Sequence, residues 1–297
     1  MSAPSYACSV KRALSALGAT LLLGSSWACT SETRVSLLEP VRTDAADPLP
    51  EAATPDGSQP ESGTGHDAAI PPDAAASSHL IHRYSFNGEG TLVVDSVGNA
   101  DGVLMGGASL DDAGHAALDG QDDYVDLPNG LVSSLTNATL IAWLSWNGGH
   151  CWQRVFDFGS TDAGEDMVGN ATTSIFATPL RCTGSGPSTL FETTAANLGS
   201  VDSDAPFPVL QNLPIAVALD VTGGSLRLYA AGTLLGTGKL VAPLSTLSDV
   251  NDWLGRSQWI QDDHLRGTYD EFRIYDSALT PAQLAAVEKA GPEVVEP

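Results

Sequence analysis

From residue 79 onward, apolar side chains fall at alternate positions in short runs. Leu140, Ala142, Leu144 and Trp146 share one parity, while Ile141 and Trp143 share the other. Ile215, Val217, Leu219 and Val221 alternate cleanly, as do Tyr84 with Phe86, Leu226 with Leu228 and Phe272 with Ile274. A period of two sends successive side chains to opposite faces of a strand. Many such runs, separated by Gly, Asp, Asn and Pro, predict an antiparallel sandwich. One segment breaks the pattern. Thr280 reads as an N-cap, Pro281 as the first helical residue and Gln283 as the third, with Leu284, Ala285 and Val287 at helical spacing and Gly291-Pro292 as the stop. The expectation is an all-β, antiparallel two-sheet domain over residues 79–291, one short C-terminal helix and a tail at 292–297.

Upstream of residue 79 the pattern is different. Lys11 and Arg12 precede an apolar run from Ala13 to Gly24, followed by the small residues Ser25, Ser26 and Ala28. This order predicts a secretory signal peptide over residues 1–28. The run is well short of the ~20 apolar residues a spanning helix needs. Two cleavage readings stand open. Ser26-Trp27-Ala28 suits the ordinary signal peptidase, whereas Cys29 directly after it resembles the lipid-modified cysteine of bacterial lipoproteins, with Ser26 where those usually carry Leu. Residues 29–78 are acidic and rich in Pro and Ala, with no aromatic residue after Cys29, so they bury too little apolar surface to fold and are expected to be a disordered linker. The expected location is outside the cell, as a cell-surface or outer-membrane lipoprotein or as a secreted protein, with the membrane touched only through the N-terminal lipid anchor.

Charge narrows the partners. The chain has 13 Lys and Arg against 36 Asp and Glu, a formal net charge of −23. Phosphate backbones are gripped by clustered cations, so nucleic acid is excluded as a partner. Of the four cysteines, Cys8 would leave with the signal and Cys29 would head the mature chain. Cys151 and Cys182 remain in the β-rich region and can pair in an oxidising compartment.

Several stretches in order then resemble the laminin-G-like, concanavalin-A-like jelly-roll family. They are His82-Arg-Tyr-Ser-Phe, Asp95-Ser-Val-Gly-Asn-Ala-Asp-Gly, Leu118-Asp-Gly-Gln-Asp-Asp-Tyr-Val-Asp, Ala138-Thr-Leu-Ile-Ala-Trp, Trp253-Leu-Gly-Arg-Ser and Gly267-Thr-Tyr-Asp-Glu-Phe-Arg-Ile-Tyr. In the last, Tyr269 stands where the family usually has Ile. The resemblance implies a jelly-roll sandwich and a structural Ca²⁺ where its first and last strands meet, with Asp95 and Asp270 carried over as ligands. Asp270 has the parity of Phe272 and Ile274, which points it inward, where a carboxylate needs a partner or a metal.

Two further chemistries are weighed on residue types. Carbohydrate recognition combines aromatic faces with a few polar groups, and Trp152, Arg154, Asp157 and Arg256 are the candidate ligand contacts. Catalysis in related sandwich enzymes uses a Glu-x-Asp-x-Glu strand that sets paired carboxylates on one face. That motif is absent, and so is a Gly-x-Ser-x-Gly elbow. The expectation is therefore no enzymatic activity and no catalytic residue, in a binding or adhesion module for glycan or an extracellular protein. The alternatives are a glycan-active hydrolase on the same sandwich and a purely structural envelope protein.

Overall fold

The computed structural model describes residues 79–183, 188–193, 199–240 and 242–295. The predicted signal peptide, the linker, Cys29 and the last two residues lie outside the described residues.

In chain order the strands are β1 (Leu80–Tyr84), β2 (Leu92–Val93), β3 (Gly102–Met105), β4 (Ser109–Leu110), β5 (Ala116–Asp119), β6 (Tyr124–Leu127), β7 (Ala138–Trp146) and β8 (Phe156–Thr161). They continue with β9 (Ala171–Arg181), β10 (Ser188–Thr193), β11 (Ser200–Asp202), β12 (Leu213–Asp220), β13 (Ser225–Ala230), β14 (Thr233–Lys239), β15 (Asn251–Leu254) and β16 (Arg266–Tyr275), and the helix α1 (Pro281–Ala290) closes the domain. Two sheets result. Sheet A runs β14-β13-β12-β7-β16-β5-β4, with β1 also paired to β16, and sheet B runs β11-β10-β9-β8-β15-β6-β3-β2. All the strand pairs are antiparallel, as the alternation predicted. Among the described residues, no helix is long and apolar enough to cross a membrane.

The main core lies between the sheets. Leu140, Ala142 and Leu144 of β7 meet Phe156, Phe158, Ile175 and Leu254 of sheet B there. The other face of β7 is also buried. Ile141 and Trp143 pack with Ala216 and Tyr229 beneath Leu284 and Val287 of α1. The helix begins as its sequence requires: Thr280 Oγ1 accepts from the Gln283 amide at 3.3 Å and Gln283 Oε1 accepts from the Thr280 amide at 3.0 Å. Cys151 and Cys182 form a disulfide, their Cα atoms 5.6 Å apart.

One parity argument fails. Tyr269 pairs with Leu144 but Glu271 pairs with Trp143, so β16 carries an extra residue at Asp270. Such a bulge resets the alternation. Phe272 and Ile274 still enter the core, whereas Asp270 is half-exposed and accepts from Asn212 Nδ2. Asp95, its expected partner, is buried and engaged by its own loop. Oδ1 accepts from the amides of Arg83, Val97 and Gly98, and Oδ2 from the Ala100 amide and His82 Nδ1 at 2.7 Å. Burial pushes its pKa up, but the Gly98 and Arg83 amides, His82 and the Ala100 amide outweigh this and hold it at about 2. Asp95 and Asp270 share no partner, and the inward orientation expected of Asp270 is corrected by the bulge.

Candidate functional site

The face of sheet B that points away from the core carries one continuous row of side chains. Leu92 pairs with Val103, Val103 with Asp126, Asp126 with Trp253, Trp253 with Asp157 and Asp157 with Phe176. Cross-strand partners project to the same face about 5 Å apart. The row therefore joins residues that are far apart in sequence.

Half of this row is covered by the loop after β15. Gly255 permits the reversal. Its φ is +86°, and a Cβ there would lie 2.3 Å from Leu118 Cδ2. The returning segment then seats itself by polar contacts: the Gln258 amide donates to Asp157 Oδ2 at 3.1 Å, and Asn251 Nδ2 donates to Gln258 Oε1 at 3.1 Å. Arg154 is only 2% exposed and holds the loop from the other side. Its Nε donates to Asp157 Oδ2 at 3.0 Å, its Nη2 to Asp262 Oδ2 at 2.7 Å and its Nη1 to the Trp152 carbonyl. The guanidinium also lies 4.1 Å from the Phe176 ring centre and 5.3 Å from that of Trp259.

Two of the four residues read as ligand contacts are thus enclosed. Arg154 and Asp157 are paired with each other and buried under the loop, and Asp157 Oδ1 has no protein partner. Trp152 sits half-buried beside them, its ring centre 5.9 Å from the Arg154 guanidinium. Arg256 lies apart from that pair, stacked 4.1 Å from the Trp253 ring centre and 4.4 Å from that of Tyr124.

The uncovered end of the row gathers a different set. Tyr124 is half-buried beside His264, Trp253 Nε1 donates to Asp126 Oδ1 at 2.9 Å, and Arg256 has buried Nε and Nη1 groups without a partner. Burial, then the charge of Asp166, raises the Asp126 pKa against the pull of the Trp253 indole and Arg256. Desolvation lowers the Arg256 pKa, opposed by Tyr124, Asp126 and Asp166. Leu92 and Val103 continue the surface, 49% and 42% exposed. Alternation in Tyr124-Val125-Asp126 is a signal for one shared face, but it takes the pairing of Trp253 with Asp126 and the turn at Gly255 to bring Arg256 against it.

Other features lie elsewhere. Asp119, Asp122 and Asp123 bring carboxylate oxygens within 4.8 Å of one another, with Asp123 buried and the other two exposed. A polar cavity of about 520 Å³ is lined by Asn87, Glu89, Leu110, Asp111 and Asp112, and a more apolar one of about 470 Å³ by Pro206, Phe207, Ala231 and Leu234. Neither touches the outward row.

Residues 119–285, over half of the chain, match the family model for the concanavalin A-like lectin/glucanases superfamily. The chain belongs to this superfamily. No protein of curated function matches this superfamily member in sequence. Solved structures do match it. Domain 4 of AbnA, a GH43 extracellular arabinanase from Geobacillus stearothermophilus in complex with arabinotriose, is 22% identical with a TM-score of 0.56, over 71% of this chain and 98% of that one. A Trypanosoma rangeli sialidase in complex with sialic acid is 14% identical with a TM-score of 0.51, over 71% of this chain and 33% of the sialidase, so the superfamily member spans a third of that enzyme's length. These likenesses establish a shared fold. They also correct the expectation that the chain is not an enzyme. The concanavalin A-like sandwich occurs within proteins that act on glycans, and here acidic groups meet across strands and loops, at Asp119, Asp122 and Asp123 and around Asp126. A search for one strand motif does not register carboxylates brought together from distant segments, as Asp166 and Glu165 are with Asp126.

Proposed function

We propose that this domain engages carbohydrate on the open end of the outward row of sheet B, where Tyr124, Asp126 and Arg256 converge. One observation carries the reading: Arg256, a half-buried cation, is stacked against the rings of Tyr124 and Trp253 and lies near the carboxylate of Asp126. A sugar offers hydroxyl groups to the accessible part of Arg256 and to Asp126, and C–H faces to Tyr124. The shared fold with an arabinanase domain in complex with arabinotriose supports the choice of ligand class. The test is calorimetric titration of the chain with a panel of neutral oligosaccharides that includes arabino-oligosaccharides. Arg256→Ala and Tyr124→Ala are each expected to weaken binding tenfold or more, about 1.4 kcal/mol, with an unchanged circular dichroism spectrum. Binding indifferent to both substitutions, or no binding across the panel, rejects the site.

A second reading, cleavage of the bound glycan, is favoured by Asp126. Its raised proton affinity suits a general acid, and the carboxylates of Asp166 and Glu165 act on it from nearby. Release of reducing ends that Asp126→Asn abolishes even with the glycan at saturating concentration supports cleavage. Turnover unaffected by Asp126→Asn removes Asp126 from that role.

The export reading accompanies the proposal. Lys11-Arg12, the apolar run and Cys29 support a lipid-anchored surface protein that meets its glycan or protein ligand outside the cell. Mass spectrometry of the mature N-terminus tests it, and an unmodified Cys29 removes the anchor.

A further inference from the structure

We infer that Asp249 and Asp252 form an internal site for a hard divalent cation, calcium or magnesium, between the 129–135 loop and the start of β15. Asp252 faces the core. Its cross-strand neighbours are Leu127 and Phe158, both buried apolar residues. Asp252 has no exposed surface and Asp249 is 4% exposed. The loop places their carboxylates side by side. The Leu131 amide donates to Asp252 Oδ2 at 3.2 Å, while the amides of Val132 and Ser133 donate to Asp249 Oδ2 at 2.9 Å each. Adjacent residues along a trans chain are about 3.8 Å apart at Cα, so oxygens held by adjacent amides are near neighbours. In each carboxylate, Oδ2 is taken by the loop. Oδ1 of Asp252 is buried with no partner.

Asp252 is fully buried, and the charged groups acting on it, Asp249, Asp126 and Asp157, are all acidic. No cation is paired with either residue among the described side chains. Two adjacent buried carboxylates without a counter-charge are strongly unfavourable. Protonating Asp252 would relieve the charge but leave its free oxygen without a hydrogen-bond partner. A hard cation relieves both, because carboxylate oxygen is its preferred ligand and loop carbonyls or water can complete the shell. The site is made of other residues than Asp95, Asp270 and the trio Asp119, Asp122 and Asp123, and it does not depend on the glycan reading.

The test uses the full chain, stripped with chelator and then incubated separately with calcium chloride or magnesium chloride at about 1 mM. Metal content after desalting and the melting temperature are both read. The expected result is one tightly held ion per chain and a melting temperature at least about 3 °C higher with the preferred ion. Asp252→Asn is expected to lose both effects, and Asp122→Asn, an exposed member of the other acidic group, to keep both. Should Asp252→Asn not yield folded protein, Asp249→Asn carries the same expectation. No bound ion and no shift with either salt overturns the inference, as does an effect that survives in Asp252→Asn or disappears in Asp122→Asn.

Discussion

Asp157 sets the terms at the scale of single residues. It is enclosed beneath the loop, and desolvation raises its pKa to about 6 against the pull of Arg154 and the Gln258 amide, with Asp262 adding to the rise. Its folded pKa exceeds the unfolded value of 3.8, so folding favours its protonated form. The stability it contributes is complete below about pH 4 and is lost as the pH climbs through about 6, a difference on the order of 3 kcal/mol. Asp95 behaves oppositely. Its pKa is held at about 2, so its contribution is present above about pH 4 and lost on acidification towards pH 2. Asp157→Asn is expected to flatten the pH 4–7 part of a melting-temperature profile without altering its acid limb. An unchanged slope between pH 4 and 7 would show that another group governs it. Arg154 and Asp157 stood out in the sequence as candidate ligand contacts. Their enclosure did not, because it depends on a loop that begins about a hundred residues later.

At the scale of elements, α1 was the most legible piece. Its cap, its proline and its buried pair Leu284 and Val287 are all written within eleven residues. Thr280→Ala removes the side-chain acceptor for the Gln283 amide and is expected to destabilise the domain by about 1 kcal/mol in urea denaturation. Glu288 on the same helix has its pKa raised to about 7 by desolvation and a buried Oε1 without a partner. Glu288→Gln is accordingly expected to raise the melting temperature at pH 8 and to have little effect at pH 5. β16 shows the limit of local reading. Period two correctly sends Phe272 and Ile274 inward, yet the inserted residue at Asp270 breaks the count. A bulge exists only relative to a partner strand, so nothing in the ten residues of β16 announces it.

At the scale of the whole molecule, the sandwich followed from alternation because one buried face per strand is a local property of composition. The row from Leu92 to Phe176 did not, since strand order and register are fixed by contacts between distant segments. The disulfide lies between these cases: the two cysteines were visible, and the fold places them 5.6 Å apart at Cα. It closes a separation of 31 residues, and Cys151→Ser with Cys182→Ser is expected to cost about 3 to 4 kcal/mol by the chain-entropy account. An equal midpoint of denaturation in the double variant would show that the bond constrains little.

The position of β16 has a consequence for how the protein is made. This late strand occupies the slot between β7 on one side and β5 and β1 on the other. Until those residues leave the ribosome, sheet A has a gap at its centre, and its earliest strand waits nearly two hundred residues for its neighbour. A released fragment ending at Leu265 is expected to be cut readily by protease, whereas the chain that includes Arg266–Tyr275 resists. Closure that waits for this strand would leave the domain pliable until Arg266–Tyr275 have emerged.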